Sequence, residues 1–80
     1  MRITHLKEIF MQTPLRKIRI ENELTIVQVA NTINCDAGNL SRLERGTQSA
    51  SLELAEKLAR FYKGKISEIQ ILYPQRFIKN

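Results

Sequence analysis

The chain has one cysteine, one histidine, no tryptophan, three glycines and two prolines in 80 residues. Each shortage excludes something. A single cysteine, Cys35, cannot close a disulfide within the chain, which fits a reducing compartment. One cysteine and one histidine cannot furnish a structural zinc site, which takes four ligands of mostly those kinds, so no metal site is expected. His5 lies in an N-terminal arm and Cys35 in a turn, so a thiol–imidazole pair has no basis, and Cys35 reads as a small hydrophobe. No glycine-rich phosphate loop is present. No catalytic residue, no enzyme activity and no cofactor are therefore expected. Few glycines and prolines also argue against long loops and all-β architectures. No apolar run approaches the ~18–20 residues that a membrane-spanning helix needs. The N-terminus lacks the apolar core and small-residue cleavage site of a signal peptide. The expectation is a cytoplasmic protein with no membrane partner.

What is present is basic charge and helical patterning. Thirteen lysines and arginines against eight acids leave +5, which favours a polyanionic partner. At 42% apolar and 26% charged, the chain has the balance of a globular domain, and its length suits one small core. Thr13-Pro14 marks a helix start, with threonine as cap and proline where its missing N–H costs nothing. That helix is expected to run to about Glu23, with Leu15, Ile18, Arg19 and Asn22 on its inner stripe. Thr25 and Gln28 form a capping-box pattern before Val29, Ala30 and Ile33. Asn34-Cys35-Asp36 breaks that stripe, Asp36 caps a further helix, and Gly46 ends it in the left-handed conformation. Ser51 caps a helix from Leu52 to Tyr62, apolar over much of its circumference and hence central. A short fifth helix is expected with Ile66, Ile69 and Leu72 inward, stopped by Pro74. The fold class expected is all-α, a compact four- to five-helix bundle. It divides into an N-terminal arm or short helix over 1–12, a helix-turn-helix domain over 13–72 and a C-terminal tail over 73–80.

Helical geometry assigns faces to the helix after Asp36. At about 100° per residue, Leu40, Leu43 and Glu44 fall inward, and Gly38, Arg42 and Arg45 fall outward, with Asn39 and Ser41 on the flanks. The outer face thus has two arginines, no acid at its middle and no apolar patch. Two short helices with a tight turn between them, the second carrying such a face, suit entry into a DNA major groove. Arg42 sits near the centre of that face, and its fork matches guanine O6 and N7. Asn39 and Gly38 neighbour it, and Ala37 can meet a thymine methyl. These four are the expected base contacts. Arg45, Ser41, Thr47, Gln48 and Ser49, with Thr25 and Gln28 at the start of the preceding helix, are the expected backbone contacts. Arg19 and Glu44 are opposite charges on inward stripes of two helices. Buried charges are costly unless paired, so a structural ion pair is expected. Tyr73, Phe77 and Ile78 are apolar residues near the end of a small domain, and dimer contact is expected of them, the alternative being that they fold back onto their own core.

The run T-x-x-Q-V-A (Thr25, Gln28, Val29, Ala30) followed by NLSRLERG (Asn39 to Gly46) resembles the phage-repressor, Cro/CI-type helix-turn-helix family. The resemblance extends to LRKIR (Leu15 to Arg19) and SLELAEKLARFY (Ser51 to Tyr62), covering about Leu15 to Ile69. It implies a repressor-like bundle, a matching Arg19–Glu44 pair, twofold dimers and a double-stranded DNA operator. Two positions depart from the family pattern: Ile26 stands where members often carry a phosphate-binding glutamine, and Asn34 where they carry glycine. Ala37 and Gly38 also replace longer base readers. The function expected is a sequence-specific transcription regulator, a repressor acting as a homodimer with the 37–45 helix in the major groove. The alternatives are an antitoxin-type protein that also binds a toxin, or a protein-interaction module that has lost DNA binding. With no separate ligand domain expected, control by abundance is favoured over a small effector.

Overall fold

Among the described residues, every α-helix begins at a residue whose side chain caps it. The computed structural model describes residues 12–78. Residues 1–11 and 79–80 lie outside the described residues, and with them most of the expected N-terminal arm. Helices α1 (Pro14–Glu21), α2 (Ile26–Ile33), α3 (Ala37–Arg45), α4 (Leu52–Phe61) and α5 (Glu68–Leu72) precede a 3-10 helix over Pro74–Phe77. The caps are Thr13, Thr25, Asp36, Ser51 and Ser67, each accepting a backbone N–H three residues on. Such a cap satisfies one of the four amides left open at a helix start and contributes about 1 kcal/mol.

The connections turn tightly because five described residues adopt left-handed backbone, among them Lys63 and Gly64 after α4, at φ 56° and 79°. Asn34 at φ 60° ends α2 and Gly46 at φ 77° ends α3. Asparagine and glycine are the residues that reach this region most cheaply. Glu23, at φ 57°, does the same between α1 and α2. Its conformation stops α1 at Glu21, two residues before the patterning suggests. Asn22 then becomes the C-cap rather than a core residue. It is exposed, and its side-chain amide donates to the Ile18 carbonyl at 2.7 Å.

The core draws Leu15 and Ile18 from α1, Val29, Ala30 and Ile33 from α2, Leu40 and Leu43 from α3, and Ala55 and Leu58 from α4. Leu40 and Leu58 are fully buried. Each such leucine contributes roughly 1.5–3 kcal/mol by leaving water, so truncating either one threatens a domain of this size. The expected circumferential burial of α4 holds less well: Leu52, at its first position, is 71% exposed. The phase of α5 also differs from expectation. Ile66 and Ile71 are buried, while Ile69 is 47% exposed and Leu72 half-buried. Ile66 precedes the Ser67 cap, so it lies off the helix and cannot set its phase. Ser67 and Gln70 form a capping box that starts the helix at Glu68 and turns Ile71 inward.

Two bonds lock α3 across α1. Thr13 is 2% exposed, and besides capping α1 its hydroxyl donates to the Glu44 carbonyl, which lies in the last turn of α3. Carbonyls there have no intrahelical donor, so one side chain serves the ends of two helices. The second lock is the Arg19–Glu44 pair, and it orients the outer face of α3.

Candidate nucleic-acid interface

Glu44 is 2% exposed and Arg19 side-chain exposure is 13%. Arg19 Nε donates to both carboxylate oxygens, at 2.8 and 2.9 Å, and Nη1 donates to the Leu24 carbonyl at 2.7 Å. One guanidinium thus ties α1 to α3 and also closes the loop between α1 and α2. Burial pushes the Glu44 carboxyl up from its ordinary value. The Arg19 hydrogen bond and charge pull it back, with help from Arg16. Desolvation is the larger effect, so this pair specifies geometry more than it stabilises.

With the inner side of α3 fixed by Leu40, Leu43 and Glu44, its outer side presents Gly38, Arg42 and Arg45, all exposed. Asn39 and Ser41 are half-buried at the flanks. Arg42 Nε donates to Gln48 Oε1 at 2.8 Å, and Nη2 donates to Asn39 Oδ1 at 2.6 Å. Gln48 Nε2 donates to the same Asn39 oxygen at 3.2 Å. Three of the expected DNA-facing residues therefore form one hydrogen-bonded group. The sequence places Gln48 among backbone contacts, but the structure sets it beside the central arginine. Nothing in the local spacing signals this, because Gln48 lies in a loop after the left-handed Gly46.

The remaining residues of the face are placed as follows. Asp36 Oδ2 accepts from the Asn39 N–H at 2.9 Å. A Cβ on Gly38 would stand 2.9 Å from that oxygen, so the glycine leaves room for the capping carboxylate, while Arg42 Nη1 would be in ordinary contact at 3.5 Å. Ala37 is half-buried against the core, which limits what its methyl can offer outward. Arg45 Nη1 donates to Ser41 Oγ. Thr47 Oγ1 donates to the Arg42 carbonyl at 3.2 Å, and Ser49 is exposed in the same loop. Thr25 and Gln28 are exposed and bonded to each other as a capping box, which uses the Gln28 carbonyl oxygen and leaves its amide N–H groups outward.

A cleft of about 210 Å³ runs between α1 and α3, lined by Arg16, Arg19, Ile26, Ser41, Glu44 and Arg45. Glu44 is already matched by Arg19, so Arg16 and Arg45 leave this cleft positive. The sequence assigns Arg16 no site; its proximity to Arg45 and Ser41 follows only from the crossing of α1 and α3. At the other end of the chain, Tyr73 and Phe77 are 48% and 44% exposed, Ile78 is half-buried, and the Arg76 guanidinium lies 4.8 Å from the Tyr73 ring centre. Ile69 joins Tyr73 and Phe77 as an exposed apolar residue. Cys35 is half-buried in the turn, and burial with the charge of Asp36 pushes its thiol up from its ordinary value, the opposite of an activated nucleophile. Among the described residues no His, Cys, Asp and Glu cluster is placed to hold a metal ion.

A short capped helix, a left-handed turn and a second helix with a polar outer face, locked across a third helix, define a helix-turn-helix domain. A profile of the helix-turn-helix family matches residues 15–69, and the chain belongs to that family, in its Cro/CI-type branch. It is similar to the cryptic phage CTXphi transcriptional repressor RstR of Vibrio cholerae, with 42% identity over 55 residues. That alignment takes in 69% of this chain and 50% of the relative, so the chain matches about half the relative's length. No solved structure matches the chain.

Proposed function

We propose that this protein is a sequence-specific, double-stranded DNA-binding transcription regulator that acts as a repressor. In this reading α3 enters the major groove with Arg42 toward the base edges. Arg45, Ser41, Thr47 and Ser49 meet the flanking phosphates, and Thr25 and Gln28 meet a further phosphate at the start of α2. The observation that carries it is the outer face of α3. Arg42 and Arg45 stand exposed there beside the half-buried Asn39, while the only acid of the helix, Glu44, is buried and paired. A helix meeting solvent alone mixes both charge signs on such a face. The similar phage protein is itself a transcriptional repressor, which supports the same role here.

The regulator acts as a homodimer on two half-sites about one helical turn apart. Tyr73 and Phe77, joined by Ile78 and by Ile69, supply the apolar surface that a second copy covers. The role places the protein in the cytoplasm with its DNA. Among the described residues no helix is long and apolar enough to cross a membrane.

Selection of bound duplexes from a random-sequence library tests the proposal. The expected product is an enriched motif with twofold symmetry, whose half-site centres are separated by one helical turn. Retention of the library without enrichment would show binding through charge alone. No retention at low salt would favour a module that binds only proteins, and a second protein that co-purifies with the chain would favour the antitoxin reading.

A further inference from the structure

The arginine at the centre of α3 is held more firmly than exposure on a helix surface requires. A guanidinium carries five N–H donors in one plane, and two of its edges offer a parallel pair. The side edge uses Nε and Nη2, and the terminal edge uses Nη1 and Nη2. In Arg42 the side edge is filled by protein: Nε donates to Gln48 Oε1 and Nη2 to Asn39 Oδ1, at 2.8 and 2.6 Å. Gln48 also donates to that Asn39 oxygen, so the two acceptors hold each other. One acceptor comes from the helix and the other from the loop beyond it, nine residues apart. Gly38 lies beside the group, and a Cβ there would make ordinary contact with Nη1 at 3.5 Å. A glycine in a helix is destabilising relative to alanine, and the steric reason for this one is the Asp36 cap, whose Oδ2 would stand 2.9 Å from a Cβ.

On the reading that Arg42 contacts bases, we infer that Gln48 is a positioning residue. Together with Asn39 it occupies the side edge of the Arg42 guanidinium, turns the terminal edge to the DNA and thereby selects guanine. The chemistry follows from what base edges offer in the major groove. Guanine alone presents two adjacent acceptors, N7 and O6, to a pair of parallel donors. Adenine sets its N6 donor against one of them, and cytosine offers a donor at N4. An untethered arginine swings between base and phosphate and loses this discrimination. A tethered one arrives with its rotamers already restricted, so less ordering is required on binding. Gln48 thus acts on sequence preference through Arg42, and not as a phosphate ligand.

The two roles predict different data. Wild type, Gln48→Ala, Gln48→Glu and Arg42→Ala are titrated against a duplex selected by the wild type, its single-base-pair substitutions, and a scrambled duplex, across a salt series. Thermal melting of each variant checks that it is folded. Gln48→Ala is expected to lower the preference for guanine at one position per half-site by about tenfold, within the range for a good bidentate pair. Its affinity for scrambled DNA and its salt slope should stay at the wild-type values. Gln48→Glu keeps an acceptor for Arg42 Nε and is expected to restore the preference, even as its charge lowers affinity for every duplex. Equal loss on selected and scrambled duplexes with a shallower salt slope would make Gln48 a phosphate contact and overturn the inference. So would a Gln48→Ala variant with unaltered guanine preference, or failure of Gln48→Glu to restore it. In those cases Arg42→Ala still relaxes the preference and the base-reading role stands. If Arg42→Ala leaves the preference intact, that role fails and the inference falls with it.

Discussion

Replacing Arg19 by alanine removes three hydrogen bonds at once, two to Glu44 and one to the Leu24 carbonyl. Glu44 then has two options in a site where it is 2% exposed. It can remain charged and unpaired, at about 3–5 kcal/mol. Or it can take up a proton, and the cost of that depends on pH. The solution at pH 7 is about 2.5 pH units above the ordinary carboxyl value of 4.5, so neutralisation costs about 3.4 kcal/mol at 1.36 kcal/mol per unit. The cheaper route sets a ceiling of about that size, and the lost Leu24 bond adds about 1 kcal/mol. The total, about 4 kcal/mol, is most of the stability of a small domain. Near about pH 5 the ceiling falls by about 2.7 kcal/mol. The wild type also gains slightly on acidification. Its Glu44 carboxyl is raised by burial, so the folded state holds its proton more tightly, and that contribution is lost as pH rises from 4.5 through the folded-state value. Relative to wild type, Arg19→Ala should therefore recover stability between pH 7 and about pH 5, up to about 2.7 kcal/mol less the wild-type gain. Urea unfolding followed by circular dichroism at both pH values measures this, as a narrowing of the midpoint difference of up to about 2.7 M for a slope near 1 kcal/mol per M. A deficit that is the same at both pH values would refute the reasoning, because it would mean that Glu44 never bears an unpaired charge.

The companion double variant Arg19→Met with Glu44→Leu fills the same space without charge and should regain most of the lost stability at pH 7, with a deficit that no longer varies with pH. Tyr62 is 5% exposed, its hydroxyl has no partner among the described residues, and burial with the nearby Glu44 charge pushes that hydroxyl up to about 12. Tyr62→Phe should accordingly leave the urea midpoint unchanged or raise it, whereas a loss above about 1 kcal/mol would reveal a hydrogen bond. On scrambled and selected duplexes alike, Arg45→Ala should weaken binding and make the salt slope shallower by about one unit per site; a loss confined to one base pair would make Arg45 a base reader. Tyr73→Ser with Phe77→Ser should shift sedimentation from dimer to monomer and weaken operator binding, and a double variant that still sediments as a dimer would place the interface elsewhere.

Most of the helical frame was legible because it is written locally. Thr13, Thr25, Asp36 and Ser51 each act on an amide three residues away, and Asn34 and Gly46 set their own backbone. Arg19 and Glu44 stood out as charges on apolar stripes, a conflict that pairing resolves. The inner and outer sides of α3 followed from helical geometry alone. What the patterning missed depends on crossings and loop paths. Thr13 reaches the Glu44 carbonyl across 31 residues. Gln48 returns to Arg42 only because the left-handed Gly46 turns the chain back. Arg16 enters the cleft beside Arg45 through the angle between α1 and α3. The phase of α5 was misread because Ile66, the apolar residue that anchored the pattern, belongs to the loop before the Ser67 cap. Glu23 gives no compositional sign of its left-handed backbone, since glutamate is not a residue that favours it.

Methylation of guanine N7 gives the most direct test of the central claim, that Arg42 on α3 reads base edges in the major groove. A duplex selected by the wild-type protein is methylated at about one guanine per molecule, and bound and free fractions are separated and cleaved. N7 is one of the two guanine acceptors in the major groove, and a methyl group there blocks a bidentate arginine. The account predicts strong interference at one guanine in each half-site for the wild type, and loss of that interference in Arg42→Ala while interference elsewhere persists. Binding by the wild-type protein that is indifferent to N7 methylation, or an interference pattern unchanged by Arg42→Ala, would contradict it.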